Sequence, residues 1–483
     1  MLNEFVEKPD KMEEACGVFG IYAPGTDVAL MTYYGLYALQ HRGQESAGIA
    51  VAEGGGMKLH KEMGLVSEVF TEDILNKLKG TAAIGHVRYS TTGSSLAVNA
   101  QPLVCNYLQG SLAVAHNGNL TNAGELREKL AANGSVFQSS IDSEVIVSLI
   151  ARYGQSPVEE ALMKCMIDLK GSYSLIVMTE DKVIGVRDPF GNRPLCLGKL
   201  GKHYCLASES CALDTIGAEF VRDVAPGEII TLDKGGMHSR KFFAPHDPAV
   251  CIFEYIYFAR PDSTIDGINV MQARRAMGRE LAIEHPVEAD LVMPVPDSGI
   301  AGALGYAEKL GLVYDTALMK NRYIGRTFIQ PEQNGRDIGV SLKLNPISKI
   351  IEGKKVVVVD DSIVRGTTSR KIVELIRRRG AKEVHMLVSS PPVMHPCYYG
   401  IDISERGQLI AAQKSIEEVR AHIGADSLHY LSLEGLYRAL GKTAGFCTAC
   451  LCGKYPIQLP PVDQSGKHVL EGKKEGRACG AIC

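Results

Sequence analysis

Val356-Val-Val-Val-Asp-Asp-Ser-Ile-Val-Arg-Gly-Thr-Thr-Ser369 decides how this chain is read. Its unbroken β-branched run predicts a parallel strand covered on both faces. Two adjacent acids, Asp360 and Asp361, stand at the carboxyl end of that strand, and a loop rich in Ser, Gly and Thr then opens a helix predicted over residues 368–379. In open α/β sheets this crevice is where ligands bind. Backbone N–H groups of such a loop, with the helix dipole behind them, suit a phosphate, and Ser362, Thr367, Thr368 and Ser369 add hydroxyl donors. The acids would repel that phosphate, so they should face ribose hydroxyls or a hydrated magnesium ion. A plainer reading makes them caps of the helix, as N-cap preferences allow. The strand, acid pair and glycine-threonine loop together outweigh it.

The same strand-helix-strand texture surrounds the stretch, with strands predicted at residues 289–295, 355–359 and 383–388 and a helix at 299–310. This half reads as doubly wound α/β. Between residue 16 and about 245 the texture is different: short strands at 16–22, 82–89, 111–116, 172–179 and 182–187, with helical periodicity at 28–40 and 143–153. Glu180-Asp181 reads as a hairpin turn. The pattern predicts an α+β layered unit. Residues 244–266 should connect the halves, and the Gly/Lys-rich end after Pro461 reads as a loosely held tail. The expected organisation is a leader at 1–15, one domain at 16–245, a second at 246–461 and a tail at 462–483. A chain of 483 residues is long enough for two or three such units.

Net charge is −3 and no long basic block occurs, which gives nucleic-acid or membrane-surface binding no electrostatic support. Arg377, Arg378 and Arg379 form the densest cationic cluster, and they close a predicted helix where positive charge suits the dipole. No apolar run approaches the roughly 18 residues of a membrane span. The first 15 residues carry Glu4, Glu7, Asp10, Glu13 and Glu14 without an apolar core, so they are no secretory signal. A cytoplasmic location is expected. Thirteen cysteines then argue for thiols, catalysis or metal rather than disulfides. Cys105, Cys165, Cys196, Cys205 and Cys211 lie in apolar stretches and read as small buried hydrophobes.

Cys16-Gly-Val-Phe-Gly-Ile21 places a cysteine at the start of a strand, directly after the acidic leader. If the leader is removed, Cys16 gains a free α-amino group of pKa about 7.7 to 8.0, able to act as base for its own thiol. Around it stand His41-Arg-Gly-Gln-Glu45, His86-Val-Arg-Tyr89 and His116-Asn-Gly-Asn119. Taken alone, Arg88 reads as a surface ion-pair partner and Asn117-Gly118 as a hairpin turn. Cys447-Thr-Ala-Cys450, in a glycine-punctuated loop, is open between metal, redox and accident.

Together the amino-terminal motifs resemble the N-terminal-nucleophile glutaminases. That resemblance implies Cys16 as nucleophile, Arg88 on the glutamine α-carboxylate, Asp142 on its α-amino group, and Asn117 and Gly118 as the oxyanion hole. The chemistry agrees: guanidinium matches carboxylate, an acid matches ammonium, and N–H donors match an oxyanion. The stretch from Val356 resembles the phosphoribosyl pyrophosphate signature of type I phosphoribosyltransferases. It implies that Asp360 and Asp361 bind the ribose diol and magnesium, with Ser298 near the metal. The loop from Ser362 to Ser369, with Arg365, Gly366, Thr367 and Thr368, would take the 5-phosphate. The 320–331 stretch, which mixes cations with glycine, reads either as a solvated basic loop or as a cover that folds over the bound diphosphate with Lys320, Arg322 and Arg326.

Joined from residue 16 to about 461, the two patterns resemble the glutamine phosphoribosylpyrophosphate amidotransferases, which start purine synthesis. The iron–sulfur branch of that family, with its cleaved propeptide, implies a [4Fe–4S] cluster on Cys251, Cys397, Cys447 and Cys450. Cys452 lies close to the last two. The family further implies a homotetramer inhibited by purine nucleotides, and ammonia passed internally between the sites. Two alternatives stay open at this point: a glutaminase feeding another acceptor, and a phosphoribosyl-ligand sensor.

Overall fold

The alternating valines of Lys355–Asp360 separate two cores, because successive side chains of a strand point to opposite faces. Val357 and Val359 pack with Val270, Ala273 and Met277 of helix Val270–Glu284 and with Ala303, Tyr306 and Ala307 of helix Ile300–Leu310. Val356 and Val358 pack on the other side with Ile372, Val373 and Ile376 of helix Thr367–Arg378. Four parallel strands run in the order Leu291–Pro294, Lys355–Asp360, Glu383–Val388, Ser427–Tyr430. This is the predicted α/β half. The structure, a computed structural model, describes residues 16–89, 93–242, 247–321, 344–403, 405–457, 459 and 470.

The amino-terminal half is a sandwich of a seven-stranded and a six-stranded sheet. Gly17–Tyr22 lies in the first, antiparallel to Ala82–Arg88 on one side and His203–Ala207 on the other. Gly110–Leu120 lies in the second, beside Gly171–Met178. Val18, Ala50 and Ile84 meet Ala113, Ala115 and Ile176 between the sheets. Helix Val28–Ala38 covers the first sheet from outside, and helices Ser143–Arg152 and Val158–Asp168 cover the second. The α+β expectation holds, and Thr179 N–H donating to the Lys182 carbonyl closes the Glu180-Asp181 turn. One strand is longer than expected. Residues 111–116 continue through Asn117-Gly118 to Leu120, because Gly171–Tyr173 supplies ladder partners that a local reading does not see.

Residues 247–266 join the halves by docking, not by tethering. Ala249 N–H donates to Phe190 O, Cys251 N–H to Asn192 O, and Val250–Cys251 pairs in parallel with Phe446–Cys447. A π-helical turn, Glu254–Phe258, follows. Glu254, fully buried, accepts from both terminal nitrogens of Arg42 at 2.9 and 2.8 Å and from Arg193 at 3.2 Å. Arg42 also reaches Glu209 at 2.5 Å, and Glu209 takes hydrogen bonds from Ser263 Oγ and the Arg260 N–H. Burial alone would raise the Glu209 carboxyl, but His41 and Arg42 hold it well below the carboxylate range. Glu209 therefore stays charged at neutral pH.

Removing one partner of a buried ionic cluster strands the others, a loss of about 3–5 kcal/mol. Glu254→Ala should lower the midpoint of urea unfolding by a corresponding amount, and Glu254→Gln by less. A midpoint equal to the parent's would contradict this account of the junction.

Candidate functional site

Cys16, Arg88, Gly118 and Asp142, which sequence motifs alone bring into question, line one narrow cleft with Tyr89, Gln101, His116, Ile141 and Ser143. The first sheet delivers Cys16 and Arg88 on adjacent strands, since Gly17 pairs with Val87. Cys16 Sγ donates to the Tyr89 carbonyl at 3.3 Å, its one hydrogen bond among the described residues. Burial pushes its thiol up to about 12, and the Arg88 guanidinium only partly offsets this. The Cys16 carbonyl accepts from Arg42 Nε at 3.1 Å, which ties the start of the strand to the buried ionic cluster.

Asp142 stands at the head of helix Ser143–Arg152. Its Oδ2 accepts the Leu120 N–H at 2.9 Å. Burial would raise its carboxyl, but His116 and the surrounding donors hold it below the usual range. It is a carboxylate throughout the neutral range. His116 Nδ1 and Gln101 Nε2 both meet Ser143 Oγ at 3.1 Å. His86 Nε2 lies 3.0 Å from the His116 carbonyl and must donate to it, and burial lowers its pKa to about 3, so it stays neutral.

Asn117 is fully buried, yet neither its Nδ2 nor its Oδ1 has a hydrogen-bond partner among the described residues. An unmade buried hydrogen bond costs about 1–3 kcal/mol. A side-chain amide left in that state, between two residues that line the cleft, keeps its donors and acceptor unused. The motif His116-Asn-Gly-Asn119 pointed to this amide; Gln101 and Ser143 had no comparable signal, because their neighbourhood is assembled from separate elements.

In the other half, Asp360 and Asp361 are each 1% exposed at the carboxyl edge of the sheet. They do not cap the following helix, whose N-cap is Gly366 at φ 79° with no side-chain cap. Glycine is suited to this left-handed conformation. Asp361 accepts from Ser362 Oγ at 2.6 Å and from Ser298 Oγ at 2.5 Å. Ser298 arrives from the neighbouring strand, where Pro294 pairs with Val359. The two loops thus open on one crevice. Lys320 Nζ sits 2.9 Å from Asp297, and Arg365 donates to Gln408 Oε1 at 2.6 Å. Arg322 and Arg326 lie outside the described residues. Sequence reading missed Arg274, a buried guanidinium in helix Val270–Glu284 that donates to the Tyr255 and Ala259 carbonyls and feels the charge of Asp361.

Cys251 and Cys447 face each other in register across a two-stranded parallel ladder. Cys450 follows in the helical turn Ala449–Cys452, where a loop was expected, and its carbonyl takes the N–H groups of Met394 and His395. Cys397 follows this pair of contacts directly in the chain. Burial raises the thiols of Cys447 and Cys450, and the negative charge each of the four would carry raises them further. Cys452 Sγ lies instead against Thr448 Oγ1 at 3.5 Å. Among the described residues no three His, Cys, Asp or Glu side chains are grouped to hold a single metal ion.

Residues 86–215 match the glutamine amidotransferase domain family and residues 271–391 the phosphoribosyl transferase domain family. The chain is 50% identical over 477 residues to the amidophosphoribosyltransferase of Synechococcus elongatus, covering 96% of each chain. It is 50% identical over 454 residues to that of Bacillus subtilis, covering 93% of this chain and 95% of that one. Among solved structures, the Bacillus subtilis glutamine phosphoribosylpyrophosphate amidotransferase complexed with ADP and GMP matches with TM-score 0.88 at 50% identity, over 92% of this chain and 98% of that one. An allosteric regulatory enzyme of purine biosynthesis matches with TM-score 0.91 at 49% identity, over 95% and 99%.

With Cys16 still preceded by Ala15, its thiol should be nearly inert. Burial holds its pKa well above 8, so only a small fraction of the thiol is ionised at that pH. Iodoacetamide labelling of Cys16, followed by peptide mass spectrometry, should rise about tenfold per pH unit from 8 to 10. Labelling at pH 8 as fast as that of an exposed cysteine would contradict the assignment.

Proposed function

The chain belongs to the amidophosphoribosyltransferase family, and on that premise we propose how its two halves divide the reaction. The enzyme takes the first committed step of purine biosynthesis. Glutamine, phosphoribosyl pyrophosphate and water give 5-phosphoribosylamine, glutamate and pyrophosphate, with ammonia passing internally from one site to the other. The observation that carries the division is the unpartnered, buried amide of Asn117, flanked in the chain by His116 and Gly118, which both line the cleft of Cys16.

Arg88 binds the glutamine α-carboxylate and Asp142 its α-amino group, which leaves the side-chain carbonyl toward Cys16. Sγ attacks that carbon. The Asn117 amide and the Gly118 N–H receive the oxyanion, ammonia leaves, and water then cleaves the thioester to glutamate. A thiol held at about 12 needs a base, and the α-amino group of Cys16 supplies one once residues 1–15 are removed.

In the second half, the amides at the start of helix Thr367–Arg378 and the hydroxyls of Ser362, Thr367, Thr368 and Ser369 hold the 5-phosphate. Asp360 and Asp361 hold the ribose diol. Magnesium suits the hard oxygen donors of Asp360, Asp361 and Ser298 and would neutralise the departing pyrophosphate. Lys320 supplies a cation for the diphosphate. The ammonia nitrogen bonds to ribose C1 as the C1–O bond to pyrophosphate breaks.

An all-thiol donor set of Cys251, Cys397, Cys447 and Cys450 supports a [4Fe–4S] cluster, which would cross-link chain segments distant in sequence. Purine nucleotides act as inhibitors in this reading; the Bacillus subtilis relative was solved with ADP and GMP. The working form is a cytoplasmic homotetramer. Among the described residues no helix is long and apolar enough to cross a membrane.

Cys16→Ala should reduce glutamine-dependent pyrophosphate release by about 10³-fold or more and leave the ammonia-dependent rate within about twofold of the parent. Equal loss of both rates would contradict the division of labour, and loss of neither would sink the nucleophile. Intact-mass measurement of the active enzyme should show a chain beginning at Cys16. A fully active enzyme retaining residues 1–15 would remove the proposed base.

A further inference from the structure

Two polar side chains beside the glutaminase cleft, Asn119 and Ser172, have no task in the chemistry above. Both point their hydrogen-bond donors across the junction. Asn119 Nδ2 donates to the Tyr398 carbonyl at 2.9 Å, and Ser172 Oγ donates to the Tyr399 carbonyl at 2.7 Å. Arg193 adds two further bonds to the Tyr399 carbonyl, at 2.7 and 3.2 Å. We propose that the turn of residues 397–400, in the transferase half, is a brace for the oxyanion strand of the glutaminase half, with Asn119 and Ser172 as its positioning residues.

Three observations carry this. First, Asn119 pairs with Ser172 in the ladder and Gly118 with Tyr173, so the two struts grip the strands at the peptide that forms the oxyanion hole. Ser172 Oγ also takes the Asn119 N–H at 3.4 Å, which links the struts to each other. Second, Gly400 lies flush on Gly118. A Cβ at Gly400 would stand 3.1 Å from the Gly118 carbonyl carbon and 3.2 Å from its oxygen, and 3.0 Å from Arg193 Nη2, in a backbone already at φ +99°. Third, the turn is anchored on its own side. Tyr399 Oη donates to the Ile457 carbonyl at 2.6 Å and accepts the Ile457 N–H at 3.2 Å, and Cys397 N–H donates to the Ile403 carbonyl.

Oxyanion donors act by being placed before the charge develops, and a misplacement of about 1 Å costs about 10²-fold in rate. The glutamine-holding groups, Arg88 and Asp142, sit on other elements, and Asp142 meets this strand through His116 and the Leu120 N–H, to either side of the peptide between Asn117 and Asn119. Loosening the brace should therefore weaken transition-state stabilisation while leaving substrate binding alone. Such a placement makes the glutaminase site incomplete without the turn from the other half.

The inference rests on Cys16 and Asn117 acting as proposed above, and full-length enzyme with glutamine or ammonia as nitrogen donor separates the two. In Asn119→Ala, kcat for glutamate release should fall about tenfold, with the glutamine KM and the ammonia-dependent rate within about twofold of the parent and Tm nearly unchanged. Asn119→Asp, which sets a carboxylate against the Tyr398 carbonyl, should fall further, and Gly400→Ala should show the same split between kcat and KM. Parent-like kcat in Asn119→Ala and Asn119→Asp, or a parallel fall of the ammonia rate and Tm, would overturn the brace. A parent that releases no glutamate would instead sink the glutaminase reading itself.

Discussion

Everything at the junction of this molecule depends on one buried carboxylate. Glu254 holds two guanidiniums, Arg42 and Arg193, away from solvent, and neither charge is tolerable there unpaired. Arg42 reaches back to the Cys16 carbonyl, and Arg193 reaches outward to the Tyr399 carbonyl. The carboxylate itself begins the π-helical turn whose carbonyls are taken by Arg274, and Arg274 lies within the field of Asp361. Cys16 and the acid pair are thus joined by one framework of hydrogen bonds, which ends in the charge of Asp361 acting on Arg274.

That framework suits the chemistry. In the proposed reaction, ammonia made at Cys16 is small, soluble and readily protonated in water, so its use requires the two centres to be held in fixed relation. A flexible linker could not supply this. Residues 247–266 supply it by pairing with both halves: with Phe190 and Asn192 on one side, and with the strand carrying Cys447 on the other. Cys251 and Cys447 lie in register on the same seam, with Cys450 in the turn that follows.

The sequence was most legible where local pattern and tertiary demand coincide. Val356–Val359 reads as a doubly covered strand because both faces are in fact covered, and the loop from Ser362 to Ser369 carries its own turn chemistry. Asn117-Gly118 was harder. The pair favours a turn locally, and only the partner strand Gly171–Met178 keeps it extended. Cys447-Thr-Ala-Cys450 looked like a loop because its strand has a partner of two residues, far away in the chain. Glu254, Arg193 and Arg274 were invisible for a stronger reason: each reads as an ordinary surface charge, and its burial is decided by groups outside its own element, across the two halves for Glu254 and Arg193 and from the 255–259 turn for Arg274.

The central claim is that the two sites work as one enclosed machine, and stoichiometry tests it most directly. Glutamate and pyrophosphate should be measured in the same reaction, with saturating phosphoribosyl pyrophosphate, no added ammonium and an enzymatic trap that consumes free ammonia. The account predicts one pyrophosphate per glutamate, unaffected by the trap. Glutamate in clear excess, or pyrophosphate release suppressed by the trap, would show that ammonia escapes to solvent and contradict it.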